Sequence, residues 1–276
     1  MPKPHDRIMN RIDAQFARLQ AIGRTALIPY ITAGDPTLAR TRQVIHALAD
    51  AGADLLELGI PFSDPLADGK TNQEAAKRAL AHDVSLADVI ALVGDVRRDV
   101  QLPIIFFTYL NPVFQYGYER FARDAAAAGV DGVLVLDMPP EESADLQAAL
   151  VDADLRMIYL VAPTSTPARV RMIAARASGF IYYVSRTGVT GEHERIADDL
   201  GEHIALIRQH TSLPIAVGFG VSTPAHATQI AALADGVVVG SAIVRRIGAG
   251  GDSDAMVAEV TQFARSLSVA LQPEPA

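Results

Sequence analysis

Ala128-Gly129-Val130-Asp131-Gly132-Val133-Leu134-Val135 joins the end of an alanine-rich helical segment to a short apolar run, and its reading decides the architecture. Glycine at that point suits the left-handed turn that ends a helix, and an apolar run without alternation suits a strand covered on both faces. The same design recurs at Ala51-Gly52-Ala53-Asp54-Leu55-Leu56 and at Ala234-Asp235-Gly236-Val237-Val238-Val239. Two further strands are entered through Leu102-Pro103-Ile104 and Leu213-Pro214-Ile215. Both marks belong to parallel sheets with helical crossovers.

Working outward, such runs predict strands over Ala26–Ile31, Leu55–Leu58, Ile104–Thr108, Gly132–Leu136, Met157–Val161, Phe180–Val184, Ile215–Gly218 and Gly236–Val239. Helical patterns fill the intervals, over Leu38–Asp50, Leu86–Val100, Tyr118–Ala128, Glu141–Asp152, Ala168–Ala177, Ala197–His210 and Ala225–Ala232. A (β/α)8 TIM barrel, typically about 250 residues, accounts for both the count and the chain length. A doubly wound open sheet is the alternative that periodicity leaves open. Ile8, Ile12, Phe16 and Leu19 fall at helical spacing and predict an N-terminal helix that caps the closed end of the barrel. The expected organisation is a single domain over 1–271, followed by a disordered tail, Gln272-Pro273-Glu274-Pro275-Ala276.

Composition narrows the function classes. The chain has 276 residues, half of them hydrophobic, which is ample for a sizeable core. Its 24 Lys and Arg against 32 Asp and Glu leave a formal charge of -8, which argues against a nucleic-acid surface. The absence of Cys excludes a disulfide framework, a thiolate metal site and a cysteine nucleophile. Apolar runs such as Ile104-Ile105-Phe106-Phe107 are far shorter than the roughly 20 residues of a membrane span. The N-terminus carries Asp6 and Asp13 and lacks a signal-peptide apolar run, so the cytoplasm is the expected compartment.

In a barrel of this kind chemistry sits at the C-terminal ends of the strands. Glu57 stands there inside an apolar strand, and Asp68 follows in the loop Gly59-Ile60-Pro61-Phe62-Ser63-Asp64-Pro65-Leu66-Ala67-Asp68-Gly69. A buried unpaired charge costs several kcal/mol, roughly, so Glu57 is either paired with a core Lys or Arg or has a chemical task. Asp68 reads as an acid/base partner or as an ordinary loop or capping residue. A divalent metal on Ser63, Asp64 and Asp68 is the weaker reading, because no histidine joins them and Pro65 breaks a shared helical face. Ser185-Arg186-Thr187-Gly188-Val189-Thr190-Gly191 has the composition of a lid. Gly218-Phe219-Gly220-Val221-Ser222 and Gly240-Ser241-Ala242-Ile243-Val244 follow strands seven and eight, where such barrels hold phosphate on glycine backbone and a short helix N-terminus. Strand alternation allows only one of Tyr182 and Tyr183 to face the barrel axis.

These motifs resemble the tryptophan synthase α subunit family. The resemblance runs in order from Ile28-Pro29-Tyr30-Ile31-Thr32-Ala33-Gly34-Asp35-Pro36 through Glu57–Gly69, Tyr109-Leu110-Asn111-Pro112 and Pro139-Pro140-Glu141-Glu142-Ser143 to Gly188-Val189-Thr190-Gly191 and Gly240–Val244. It implies a lyase that cleaves indole-3-glycerol phosphate to indole and glyceraldehyde 3-phosphate by a retro-aldol route, with no metal and no organic cofactor of its own. By matched position, Glu57 protonates indole C3 and takes the glycerol hydroxyl proton, and Asp68 accepts from the indole N–H. Tyr182 orients Glu57, Thr190 helps Asp68 close over substrate, Phe219 lines the indole pocket, and Gly191, Gly220, Gly240 and Ser241 bind phosphate. The resemblance further implies an α2β2 complex with a pyridoxal-phosphate-dependent β subunit that receives indole through a tunnel. After Gly69 the family pattern carries Pro and then an apolar residue, where this chain has Lys70-Thr71-Asn72-Gln73. On the residues alone two other readings stand: an activating subunit with weak chemistry of its own, or a barrel enzyme acting on a phosphorylated sugar or a prenyl diphosphate.

Overall fold

A computed structural model describes residues 9–184, 193–218 and 220–272. Eight parallel strands pair in sequence order: β1 Ala26–Thr32, β2 Leu56–Gly59, β3 Ile104–Thr108, β4 Gly132–Val135, β5 Arg156–Val161, β6 Ile181–Val184, β7 Ile215–Gly218 and β8 Gly236–Val239. Strand β8 pairs back onto β1, from Ala26 with Gly236 to Pro29 with Val239, so the sheet closes. That closure is the TIM barrel the repeat predicts, and it rules out the doubly wound open sheet.

Helices surround the sheet: α1 Arg11–Ala21, α2 Leu38–Asp50, α3 Lys70–Leu80, α4 Leu86–Val96, α5 Leu110–Tyr116, α6 Tyr118–Ala128, α7 Ala144–Asp152, α8 Pro167–Arg176, α9 His193–Arg208, α10 Pro224–Ala231, α11 Ser241–Gly250 and α12 Asp254–Ala270. The helix expected over Glu141–Asp152 opens as a separate 3-10 turn, Pro140–Glu142, before α7. The one expected to reach Val100 stops at Val96, where the Arg97 guanidinium turns to the carbonyls of Gly129 and Leu102. Three helices were not expected: α3 and α5, which follow strands at the open end, and the C-terminal α12.

The aspartate of each Ala-Gly-x-Asp-type repeat has a mechanical task. Asp54, Asp131 and Asp235 precede β2, β4 and β8, and each accepts a backbone N–H from the first two residues of the strand before it: Leu27 at 2.9 Å, Ile104 at 2.8 Å and Ile215 at 2.8 Å. The backbone N–H of the same aspartate donates back to that residue's carbonyl. Ser178 does the equivalent between β5 and β6, accepting from Met157 N at 2.8 Å and donating to Met157 O. Strand starts are thereby satisfied without water, as buried backbone groups require. Arginines hold the three carboxylates: Arg24 on Asp54, Arg97 and Arg11 on Asp131, and Arg208 on Asp235.

Helix α1 closes this end. Its N-cap Asn10 accepts from Ile12 N, while its amide donates to the carbonyls of Asp131 and Asp154 at the strand starts. Ile12, Phe16 and Leu19 are buried against inward-facing Leu55, Ile105, Leu134, Ile158 and Phe180, with Phe16 and Phe180 rings 5.6 Å apart. A side chain at Gly132 would overlap Ile12, so glycine there admits the plug. Ile8, placed on the same face by the sequence, and tail residues 273–276 lie outside the described residues.

Candidate active site

At the open end, alternation along the strands aims Tyr30 of β1, Glu57 of β2, Phe107 of β3, Tyr182 of β6 and Val238 of β8 into one cavity of about 420 Å³. Glu57 lies in register between Tyr30 and Ile105. Tyr182 faces inward and Tyr183 outward, its ring 5.5 Å from that of His203. Two glycines make room for the tyrosines: a Cβ on Gly59 would overlap the Tyr30 hydroxyl, and one on Gly218 would overlap the Tyr182 hydroxyl. The Tyr30 and Phe107 rings meet edge to face at 5.0 Å.

Glu57 is 1% exposed, and neither carboxyl oxygen has a hydrogen-bond partner among the described residues. The paired structural reading therefore fails, since no Lys or Arg there reaches it. Burial raises Glu57 from the ordinary carboxylate range to about 8, so it is a neutral acid at pH 7. Burial raises Tyr182 as well, with Glu57 and Tyr30 adding to the effect. Glu57 and Tyr182 share the cavity with no hydrogen bond joining them.

Asp68 sits where the β2–α3 loop meets its helix. Its carboxylate accepts from the Tyr109 hydroxyl at 3.0 Å, and that same hydroxyl accepts from Ala67 N at 3.0 Å. Its backbone carbonyl is held by the Gln73 amide at 2.9 Å. Burial pushes Asp68 up, as it does Glu57, but here hydrogen bonds from Tyr109 and Asn72 oppose it. Two carboxyls thus stand in unlike settings, one with no donor and one with two. Ser63 and Asp64 bond to each other on the exposed part of the loop, whereas Asp68 turns inward, so the three proposed metal ligands diverge.

Helix α3 carries Lys70, Thr71 and Asn72 to the rim of the cavity. It is anchored from its far end by Arg78, whose guanidinium forks onto the buried Asp35 at 2.7 and 2.8 Å. Asn72 Oδ1 is buried without a partner among the described residues. Four side-chain atoms there are in that condition, and three of them, both Glu57 oxygens and Asn72 Oδ1, belong to residues lining this one cavity. Each such orphan costs on the order of 1–3 kcal/mol, so a cluster of them marks a surface completed by a ligand.

The other side of the cavity is formed by Gly220, Gly240, Ser241 and Arg245. Gly240 is the N-cap of α11 and offers no side-chain bond, leaving the first N–H groups of the helix open, and Gly220 has φ +64°. Such an end attracts an anion. Of the expected site residues, Glu57, Tyr182, Gly220, Gly240 and Ser241 line this cavity, whereas Asp68 is not among its lining residues and only the adjacent Gly69 is. Thr190, Gly191 and Phe219, with the lid segment 185–192, lie outside the described residues.

Sequence reasoning assigned no role to Tyr30, Phe107, Tyr109 or Arg245. Tyr30 and Phe107 carry the alternation signal already used for Tyr182. Tyr109 directly follows a strand, the position from which barrel loops supply their chemistry.

Residues 16–272 match the family model described as the tryptophan synthase alpha chain. The chain is 52% identical over 237 residues to the tryptophan synthase alpha chain of Geobacter sp. (strain M21), covering 86% of this chain and 89% of that one. It is 48% identical over 263 residues to that of Pelobacter propionicus, covering 95% and 98%. The crystal structure of tryptophan synthase subunit alpha from Legionella pneumophila str. Paris superposes with a TM-score of 0.88 at 38% identity, over 96% of this chain and 99% of that one. Family model, close relatives and a full-length structural match agree, and the chain belongs to the tryptophan synthase alpha chain family.

Proposed function

We propose that Glu57 and Asp68 carry the reaction of this family, the lyase cleavage of indole-3-glycerol phosphate in tryptophan biosynthesis. The observation that supports this is the neutral, unpartnered Glu57 in the wall of a cavity whose opposite wall is an open helix N-terminus. Glu57 gives its proton to indole C3, and the positive charge that forms on the ring is stabilised by Asp68 accepting from the ring N–H. The Glu57 carboxylate then takes the proton of the hydroxyl on the carbon attached to C3. The O–H pair becomes the aldehyde double bond, and the carbon–carbon pair returns to the ring as indole leaves. Glu57 ends protonated, as it began. Gly220, Gly240 and Ser241 bind the phosphate, with Gly191 joining them, and Thr190 and Phe219 complete the lid and the indole pocket. Tyr182 limits the positions open to the Glu57 carboxyl.

The family implies a β-subunit partner, and we extend this to an α2β2 assembly with a pyridoxal-phosphate-dependent β subunit in the cytoplasm, each α subunit a single domain over 1–271. Leu66 and Phe114 support a docking face at the barrel mouth, being apolar yet 94% and 62% exposed on the loop after β2 and on α5.

Indole release by Glu57→Gln, measured from indole-3-glycerol phosphate, is expected to fall by at least about a thousandfold. Full activity in a folded Glu57→Gln protein would overturn the assignment. In the wild-type protein kcat/KM is expected to decline at alkaline pH with an apparent pKa near 8, as Glu57 loses the proton it must donate.

A further inference from the structure

Asn72 is where the site departs from an apolar pocket. It is the third residue of α3 and lines the same cavity as Glu57, Phe107 and Tyr182. Its side chain lies close enough to Asp68 to help hold that carboxylate down, and because a carboxylate only accepts, the amide Nδ2 is the atom turned toward it. That orients the amide and leaves Oδ1 as an acceptor, buried and without a partner among the described residues. Asp68 itself is held by the Tyr109 hydroxyl at 3.0 Å. Gly69, next to Asp68 in the chain, lines the same cavity.

We infer that Asn72 is a specificity-determining residue for the ring N–H of the substrate, offering Oδ1 as a second acceptor beside Asp68. This rests on the role given to Asp68 above. Among the described residues the acceptor is unsatisfied, and a bound indole satisfies it. A ring of the same shape without an N–H leaves both acceptors facing apolar surface, and the site rejects it. Asn72 therefore adds discrimination between indole and its isosteres, and acts on the reaction through Asp68 rather than on the breaking bond.

The test compares binding of indole-3-propanol phosphate, which cannot be cleaved, with that of its benzothiophene counterpart, which lacks the N–H. Both are titrated calorimetrically into the complex with the β subunit, alongside melting temperatures of the α subunit. Wild type is expected to prefer the indole ligand. Asn72→Leu, which keeps the volume and removes both polar atoms, is expected to lower that preference about tenfold, one hydrogen bond's worth. Its melting temperature should not fall, since an orphan acceptor has been removed. Asn72→Ser, which restores a donor and an acceptor, should recover part of the preference. Asn72→Ala reads the same ratio if the leucine variant does not fold. An unchanged preference in a folded leucine or alanine variant would overturn the inference, as would a loss of both ligands in equal proportion. Asp68→Asn separates the two levels of the argument. If it keeps full turnover and full preference, the role of Asp68 falls and this inference with it. If it loses both while the Asn72 variants keep the preference, this inference alone falls.

Discussion

Glu57 shows how one residue is made acidic or basic by what surrounds it. Removed from water and given no donor, its carboxyl holds its proton to about pH 8, whereas Asp68 has two donors that work against its burial. The shift has a sign for stability. Between the unfolded value of 4.5 and about 8 the unfolded chain releases a proton that the folded protein keeps, so this group's contribution weakens as pH rises through that window. Glu57→Gln is accordingly expected to be more stable than wild type at pH 8, by on the order of 4 kcal/mol at most, and the difference should vanish near pH 4. Urea unfolding at several pH values measures it, and a gap that does not change with pH would contradict the assignment. Glu57 was legible from the sequence because an acid in an apolar strand violates a local rule. Asn72 was legible only as an unusual residue, since its place in the cavity wall depends on where α3 begins.

Elements position these residues in ways that single changes disturb. Asp131 ties the start of β3 to β4 and neutralises Arg97, itself largely buried. Asp131→Ala leaves a strand N–H and a guanidinium unpaired together, and is expected to cost about 3–5 kcal/mol in thermal or urea unfolding, while Arg11 offers no substitute. At the other end of the barrel, Gly218 makes room for the Tyr182 hydroxyl. Gly218→Ala should displace Tyr182 and lower kcat by roughly tenfold or more, measured as indole release. The strands were readable because their signal is a local repeat. Helix α3 was not, because its buried face is only Ala75, Ala76 and Ala79 behind a polar first turn, with no large apolar residue to mark the face that packs. Helix α5 is seven residues long and contains Pro112, which reads as a loop.

For the whole molecule, the barrel separates two ends with different work. The closed end is built for stability, with aspartates on strand N–H groups, arginines on the aspartates and α1 as a plug. The open end carries the cavity, three of the four buried polar atoms that lack a partner among the described residues, and the exposed Leu66 and Phe114. Leu66→Asp is expected to weaken association with the β subunit about tenfold or more, measured by titration, while leaving indole formation by the isolated chain close to wild type. Equal loss of both would place Leu66 in the reaction instead.

By itself the sequence determines the eight βα units, the plug helix, Glu57 and Asp68 and the glycine loops after β7 and β8, because periodicity, helix stops and a charge among apolar neighbours are local properties of the chain. Closure of the sheet was decided only in three dimensions, by β8 meeting β1 across more than two hundred residues. The same is true of the site: Tyr30, Glu57, Tyr182 and Asn72 come from four elements, and the proton on Glu57 is set by desolvation, which exists only once those elements have packed around it.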